Sequence, residues 1–293
     1  MVYNISKTFS MVDGIMRIAI ITNTTKDIDC AAARSTVRAI NGQAEIYMPD
    51  DCILPENLKI NYMPRSMIWE NADIAFIIGG DGTMLGAAPH CARHNIPTLG
   101  INLGKVGFLT EVEPDDIANA ADRVLKGDYI VENRMLIKMK INGKGPGFHA
   151  LNDIVISKTD GERLIGMELY TDNELVNHYA ADGLIIATPT GSTGYSISAG
   201  GPVVDPRMEL YVATPICAHM LSVRSAVLPA GKNITIRLSA DYPQNNAIIT
   251  ADGERKAVIS EQDEILITRS EYEFRLIRIG TSSFYSTLIN KLS

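Results

Sequence analysis

The sequence lacks the features of several large classes of protein. Its four cysteines form no Cys-x-x-C pair, which disfavours a disulfide framework and indicates reduced thiols in a cytoplasmic protein. The 27 basic residues are outnumbered by 34 acidic ones, and the net charge of −7 argues against a nucleic-acid partner. No apolar run reaches membrane-spanning length, so we expect no membrane partner.

Further signals are missing at the N terminus and among catalytic motifs. Residues 1–15 have no cationic segment followed by an apolar core, so we expect an N-terminal extension and not a secretory signal. The chain contains no Walker A sequence. Residues 194–198 read Gly-Tyr-Ser-Ile-Ser, with serine where the nucleophile elbow of a serine hydrolase requires its last glycine.

The most informative stretch that is present is a glycine-rich segment, the phosphate loop of residues 79–83. It follows an apolar run at 74–78 and precedes a predicted helix at 84–93. Glycines let the backbone approach phosphates closely, and a helix N terminus offers free N–H groups and partial positive charge. The candidate phosphate-binding residues of this loop are Gly79, Gly80, Gly82 and Thr83.

Asp81 stands in the middle of the phosphate loop. A carboxylate beside phosphates is unfavourable unless it binds Mg²⁺ or takes a proton from an attacking hydroxyl, so the loop favours phosphoryl transfer. Two other interpretations remain open from the loop alone. It is compatible with an ordinary strand-to-helix turn, or with a loosened dinucleotide-binding turn, although the acid expected about 20 residues later is missing.

The pattern of apolar residues changes near residue 130. Before it, strands predicted at 16–22, 44–48, 72–78 and 97–101 alternate with helices at 30–40, 84–93 and 114–126, which is typical of a parallel sheet covered by helices. After it, period-two segments and Asn-Gly or Asp-Gly turns at 142, 160, 182 and 252 indicate antiparallel strands. We therefore predict an α/β N-terminal domain with a parallel sheet, followed by a mostly β, sandwich-like C-terminal domain.

The corresponding domain boundaries are an N-terminal extension at 1–15, an α/β domain at 16–130, a β-rich domain at 131–270 and a tail at 271–293. The end of the tail is predicted to be helical, with Phe284, Leu288, Ile289 and Leu292 on one face. We expect that face to pack on the body of the protein.

A second polar stretch lies in the β-rich half, at residues 182–198. Its many hydroxyls and glycines, together with Tyr195, suit a sugar and a stacked base. A hairpin loop rich in threonine, serine and glycine would have a similar composition, so the stretch alone leaves both interpretations open.

The two stretches together are more specific than either alone. With residues 99–110 and Asn152-Asp153 between them, in the same order, the chain resembles the NAD kinases from about residue 16 to its C terminus. The sequence Gly-Gly-Asp-Gly by itself also occurs in diacylglycerol kinases, sphingosine kinases and 6-phosphofructokinases. The other motifs distinguish the NAD kinases, although these often have Asn-Glu where this chain has Asn152-Asp153.

The resemblance implies phosphorylation of the 2′-hydroxyl of the adenosine ribose of NAD, with ATP as donor or inorganic polyphosphate as an alternative donor. Asp81 would be the general base, and Mg²⁺ would be carried mainly by the donor phosphates because the sequence offers no obvious protein cage for it. A homo-oligomer, dimer or tetramer, is also implied. The residues expected to bind NAD are Asp81, Gly82, Phe108, Asn152, Asp153, Arg163, Asp182, Thr190, Thr193, Gly194, Tyr195, Ser196, Ile197 and Ser198. The alternatives are a lipid or sugar kinase with the same loop, and a non-catalytic NAD(P)-binding sensor.

Overall fold

The computed structural model describes residues 15–40, 42–55, 58–104, 107–159, 164–219, 224–242, 246–280 and 283–292. The chain divides into two compact units. The first comprises 1–133 with 274–293, and the second comprises 134–273. The domain boundaries expected at residues 130 and 270 stay a prediction.

The helices and strands follow one another along the chain in this order. The strands are β1 (Arg17–Thr22), β2 (Glu45–Pro49), β3 (Asn61–Met63), β4 (Ile74–Gly79), β5 (Thr98–Asn102), β6 (Ile130–Ile141), β7 (Lys144–Ala150), β8 (Asp153–Lys158), β9 (Ile165–Thr171), β10 (Glu174–Ala181), β11 (Gly183–Ala187), β12 (Leu210–Ile216), β13 (Ala226–Pro229), β14 (Ile234–Leu238), β15 (Ala247–Ala251), β16 (Glu254–Ile259) and β17 (Glu264–Arg278). The α-helices are α1 (Ala31–Ile40), α2 (Arg65–Asn71), α3 (Asp81–Arg93), α4 (Ile117–Leu125), α5 (Tyr195–Ser198) and α6 (Phe284–Leu292).

The first unit contains a parallel sheet in the order β5-β4-β1-β2-β3. The end of β17 extends this sheet, with Leu276 opposite Thr98. Every residue of β4 is buried, as expected for a parallel strand covered on both faces. The parallel sheet predicted for this half is thus confirmed, and its carboxyl edge carries the phosphate loop.

Helices α1 and α4 bury their apolar residues in one core with β1, β2 and β4. Their observed bounds lie close to the predicted ones. The pair β3 and α2 was not predicted, although Ile68 and Trp69 of α2 are almost completely buried. Helix α3 begins at Asp81 and not at residue 84, so the acid and the last glycine of the phosphate loop belong to its first turn.

The second unit is built from antiparallel strands. One sheet has the order β10-β9-β14-β17 and another the order β13-β12-β11-β8-β15-β16. Alternate residues of strands from both sheets, such as Met167, Ile236, Ile156 and Ile186, share one apolar core. This is the sandwich-like arrangement that the period-two pattern predicted.

The predicted turns have different outcomes. Asn142 and Gly143 both have positive φ (53° and 65°) between β6 and β7, as a tight hairpin turn requires. Asp252 and Gly253 do the same between β15 and β16, with φ of 48° and 82°. The turn expected at residues 160–161 lies outside the described residues.

The C-terminal helix α6 forms as predicted, but its apolar face was assigned incorrectly at one position. Phe284 and Leu288 are half-buried, whereas Ile289 is 65% exposed. The side chain of Leu292 lies outside the described part of the chain. No helix among the described residues has the length and apolar content needed to cross a membrane.

The fold also brings together two cysteines that are distant in sequence. The Sγ atoms of Cys30 and Cys52 lie 3.5 Å apart in the first unit, and both side chains are free thiols. Burial raises the pKa of Cys52 to about 12, which keeps that thiol protonated and unreactive.

Candidate functional site

The phosphate loop connects the end of β4 to the start of α3. Gly80 caps the helix, and its carbonyl accepts a hydrogen bond of 2.9 Å from the backbone N–H of Thr83. The Thr83 hydroxyl in turn accepts a 3.2 Å hydrogen bond from Nδ2 of Asn23, which follows β1. A Cβ on Gly79 would overlap the Thr83 side chain, so this position needs glycine for a close approach.

The Asp81 carboxylate is held by residues 107–110, which follow β5. The backbone N–H of Phe108 donates to Oδ2 over 2.9 Å, and that of Leu109 donates to Oδ1 over 3.1 Å. The Thr110 hydroxyl lies 3.3 Å from Oδ1. A carboxylate has about four acceptor positions. Three are used here, and the fourth remains on Oδ2.

The segment that holds Asp81, residues 107–110, is itself positioned by contacts with the end of β5. Asn102, at the end of β5, donates from Nδ2 to the Gly104 carbonyl over 2.6 Å. Its Oδ1 lies 3.4 Å from the Thr110 hydroxyl, and both side chains are buried. A Cβ on Gly107 would overlap the Asp81 carboxylate, so glycine is required there for packing. Asp81 therefore occupies a preformed position.

A cavity of about 550 Å³ lies beside the phosphate loop in the first unit. This volume is within the range of small-molecule sites. Trp69 and His90 form a stacked pair in its wall, with ring centroids 5.4 Å apart and planes 8° apart. Neither residue was singled out from the sequence. Trp69 lies in α2, which was not predicted, and His90 lies in the helix predicted at 84–93 but was given no role. The cavity is lined by Ile21, Thr22, Asn23, Thr24, Arg65, Ser66, Trp69, Gly82, Thr83, Gly86, Ala87 and His90.

In the second unit, Asp252 organises the start of β8. Its carboxylate accepts hydrogen bonds from three consecutive backbone N–H groups, those of Leu151 (2.8 Å), Asn152 (2.7 Å) and Asp153 (3.1 Å). Burial nevertheless raises the pKa of Asp252 to about 6, because the hydrogen bonds offset only part of the lost hydration. The sequence pattern predicted the Asp252-Gly253 turn but not this role.

Asp153 is the second buried acid of this unit, with 6% of its surface exposed. Burial, together with the neighbouring Asp252 carboxylate, raises the pKa of Asp153 to about 7. No described residue donates a hydrogen bond to the Asp153 carboxylate, in contrast to Asp81 and Asp252. A buried carboxylate without donors is costly unless a ligand supplies them.

The hydroxyl-rich stretch lies against Asn152 and Asp153. A Cβ built on Gly194 would lie 3.4 Å from Asn152 Nδ2 and 4.0 Å from Asp153 Oδ2. A Cβ on Gly191 would overlap the backbone of Asn152. This stretch is not a hairpin, because β11 ends at Ala187 and a 3₁₀ turn at Gly191–Thr193 and the short helix α5 follow it.

The other residues expected at the NAD site differ in their availability. Tyr195 is 47% exposed and Ser198 is also exposed. The Ser196 hydroxyl is buried and lies 2.9 Å from that of Thr214, so it is already used within the fold. Asp182 forms a 2.7 Å ion pair with Lys158. Arg163 lies outside the described residues, and its role stays a prediction.

Two further hydroxyls of the stretch face local partners. The Thr193 hydroxyl donates to the Thr190 carbonyl over 3.2 Å, and the Thr190 hydroxyl accepts from Arg134 Nη1 over 3.4 Å. Ile197 is half-buried. The binding role of each of these residues also stays a prediction.

These observations define the class of the protein before any comparison. A glycine-rich helix start binds phosphate groups through its N–H groups. A preformed carboxylate within the same loop is a group that can accept a proton from a hydroxyl. The class is therefore a phosphotransferase that acts on an alcohol group.

Comparison with known proteins specifies the family. Residues 17–129 match the model of the ATP-NAD kinase N-terminal domain, and residues 151–279 match that of the ATP-NAD kinase C-terminal domain. The NAD kinase of Heliobacterium modesticaldum is 40% identical over 223 residues, which cover 75% of this chain and 78% of the relative. The NAD kinase of Clostridium botulinum is 36% identical over 281 residues, covering 94% and 96%. The chain belongs to the NAD kinase family.

Two solved structures have the same fold. An NAD kinase from Archaeoglobus fulgidus in complex with ATP has a TM-score of 0.71 at 28% identity, covering 94% of this chain and 98% of its own. The yeast NADH kinase complexed with NADH has a TM-score of 0.83 at 23% identity, covering 95% and 87%. The second similarity concerns the fold alone.

Proposed function

We propose that this enzyme transfers the γ-phosphoryl group of ATP to the 2′-hydroxyl of the adenosine ribose of NAD, with Asp81 as the general base. The observation that carries the proposal is the Asp81 carboxylate, which is held in the phosphate loop by the N–H groups of Phe108 and Leu109. Its remaining acceptor position on Oδ2 is available to a hydroxyl group.

The chemistry follows from this placement. A ribose hydroxyl is a poor nucleophile at neutral pH, and a positioned carboxylate that accepts its proton accelerates such a step by about 10²–10⁴-fold. The backbone N–H groups at the start of α3 stabilise the negative charge of the transferred phosphoryl group. Asp81 contributes only if its position is fixed, and residues 107–110 provide that fixation.

The donor is proposed to use the cavity beside the loop. Gly82, Thr83 and Gly86 line one side of it, and Arg65 lines another, so phosphates meet the N terminus of α3 and a cation. Lys26 Nζ lies 3.4 Å from the point that a Cβ on Gly80 would occupy, which adds a second cation at the loop. The ATP complex of the Archaeoglobus relative supports ATP over polyphosphate as the donor.

Magnesium is proposed to accompany the donor. No group of three or more His, Cys, Asp or Glu side chains among the described residues is placed to hold a metal ion. Asp81 is the acid of the phosphate loop, and three of its acceptor positions are used. The donor phosphates are therefore the better ligands, and bound Mg²⁺ would neutralise their charge.

The adenosine half of NAD is assigned to the second unit. The Asp153 carboxylate lacks hydrogen-bond donors among the described residues, and ribose hydroxyls would supply them. Tyr195 is exposed and offers a ring for stacking. Asn152 and the hydroxyl-rich stretch adjoin Asp153. The other assigned residues, Arg163 and Asp182 included, complete this proposal.

The position of the new phosphate tests the proposal. The protein would be incubated with NAD, Mg²⁺ and either ATP or polyphosphate, and the product analysed by mass spectrometry and phosphorus NMR. We expect the phosphate on the adenosine 2′-oxygen. Nicotinamide mononucleotide, which lacks the adenosine half, should be a very poor substrate, and diacylglycerol and fructose 6-phosphate should not react. A phosphate at any other position would overturn the assignment.

Two broader properties complete the proposal. A cytoplasmic location agrees with the four free cysteines. A homo-oligomer, dimer or tetramer, is expected from the resemblance and would be measured by light scattering at several protein concentrations.

A further inference from the structure

The C-terminal helix α6 places a lysine beside the proposed general base. Lys291 Nζ lies 3.8 Å from Asp81 Oδ2. The same ammonium group lies 4.5 Å from the centre of the Phe108 ring. The helix is fixed at its other end by Phe284, whose ring centroid lies 5.9 Å from that of Phe108. Two aromatic contacts thus position a cation at the phosphate loop.

These contacts leave the N–H donors of the Lys291 ammonium group available to a ligand. At 3.8 Å the Lys291–Asp81 pair is longer than a hydrogen bond, and no described residue accepts a hydrogen bond from the Lys291 ammonium group. The Lys291 side chain remains 32% exposed. Its three N–H donors can therefore reach a group that arrives next to Asp81 Oδ2.

The charge at this point identifies that group. A phosphoryl group transferred to a hydroxyl beside Asp81 brings negative charge next to a carboxylate, and this arrangement needs a compensating cation. Lys26 lies on the Gly80 side of the loop, and Lys291 lies on the Asp81 side. The two lysines are thus placed at different parts of the loop.

We propose that Lys291 is a catalytic residue that contacts the transferred phosphoryl group and, after transfer, the 2′-phosphate of the product. This inference rests on the proposed function. In the step, the ribose 2′-oxygen forms a bond to the γ-phosphorus of ATP, the bond between that phosphorus and the β–γ bridging oxygen breaks, and the hydroxyl proton passes to Asp81. Lys291 takes no part in the proton transfer and acts through its charge.

Product binding tests the proposal without turnover. Lys291→Met keeps an aliphatic side chain and removes the charge. Calorimetry without donor should show that NADP affinity falls about tenfold or more, because a charged hydrogen bond to the 2′-phosphate is lost, while NAD affinity changes less than about twofold. In turnover, kcat should fall and KM for NAD should change little. Lys291→Arg should restore much of the NADP affinity.

Lys126→Met provides the matched control, since Lys126 is an exposed lysine of the same unit that forms an ion pair with Asp122. It should leave the ratio of NADP to NAD affinity unchanged. Circular dichroism and the unfolding midpoint establish that each variant is folded.

Three results would overturn the proposal. An equal loss of NAD and NADP affinity would mean that Lys291 only supports the structure. A gain in NAD affinity or kcat would mean that α6 obstructs the site. An unchanged NADP affinity would mean that the ammonium group does not reach the phosphate. A failure of the proposed function is distinguishable, because the unmodified enzyme would then form no 2′-phosphate.

Discussion

Asp81 in the first unit and Asp153 in the second are both partly or fully enclosed acids, but their surroundings are opposite. Asp81 accepts hydrogen bonds from the N–H groups of Phe108 and Leu109, and its side chain is 31% exposed. Asp153 is buried, accepts no hydrogen bond from a described residue, and has a pKa raised to about 7 by burial and by Asp252.

This difference in hydrogen bonding suits the two acids to different functions, proton transfer and ligand binding. An acid that acts on a reacting hydroxyl must be held in place before the substrate arrives, because misplacement by about 1 Å costs about 10²-fold in rate. An acid that binds a sugar can instead leave its acceptor positions open, so that ligand hydroxyls complete its hydrogen bonding. We therefore propose a role in proton transfer for Asp81 and a role in ligand binding for Asp153.

Removal of the Asp81 charge should have the largest effect. Asp81→Asn keeps the size of the side chain but cannot take a proton, so kcat should fall by about 10²–10⁴-fold with NAD affinity largely retained. Steady-state kinetics and calorimetry measure the two quantities. Asp122→Asn, at an exposed acid of the same unit that pairs with Lys126, is the control. A near-normal kcat for Asp81→Asn would contradict the proposal that Asp81 is the general base.

Displacement of Asp81 without changing it should come next. The Cβ of Gly107→Ala would overlap the carboxylate and force it to move, so kcat should fall by about 10²-fold. Gly104→Ala is matched to it, because a Cβ there meets no atom within 4 Å. If Gly107→Ala has the same kcat as Gly104→Ala, the rate does not depend on the exact position of the Asp81 carboxylate.

Loss of the Tyr195 ring should weaken binding and spare chemistry. Tyr195→Ala should reduce NAD affinity by about 1–3 kcal/mol, as expected for a lost base–aromatic contact, with a smaller change in ATP affinity. Tyr195→Phe retains the ring and should bind NAD nearly as the unmodified enzyme does. Calorimetry would contradict the assignment by showing equal NAD affinity in all three proteins.

The smallest expected effect is a pH dependence of NAD binding. Asp153, with a pKa near 7, is neutral below that pH and ionised above it. A carboxylate accepts hydrogen bonds from ribose hydroxyls more strongly than a neutral carboxylic acid does. NAD affinity should therefore rise several-fold from about pH 6 to about pH 8.

Two variants separate Asp153 from other titrating groups. Asp153→Asn should flatten the pH profile of NAD affinity at a lower affinity. Asp172→Asn removes an exposed acid that pairs with Lys232 in the same unit and should leave the profile intact. The persistence of the full slope in Asp153→Asn would assign the titration to another group.

The sequence predicted the layout of the first unit because its signals are local. Apolar runs such as β4 and the glycines that follow it determine a strand, a turn and a helix within a few residues. The start of α3 was misplaced because Gly82 and Thr83 are poor helix formers, whereas their contacts with the loop favour the helix. The short pair β3 and α2 carried no comparable turn or periodicity signal.

The interactions of the two acids were not predictable because they join distant parts of the chain. Asp81 is held by residues 27 to 29 positions later, and the N–H of Asp153 is bound by Asp252, 99 positions later. Periodicity contains no information on such pairs. The exposure of Ile289 has a similar cause, since α6 contacts Phe108 through Phe284 and Lys291 and not through its whole apolar face.

The most direct test of the different roles of Asp81 and Asp153 compares Asp81→Asn and Asp153→Asn in the same pair of measurements. Equilibrium NAD binding and the single-turnover rate at saturating NAD and ATP would be measured for both variants at about pH 8. We expect Asp81→Asn to lower the single-turnover rate at least about 10²-fold with little change in NAD affinity, and Asp153→Asn to weaken NAD binding and retain most of the rate. The opposite pattern, or the same pattern in both variants, would contradict the proposed roles of the two acids.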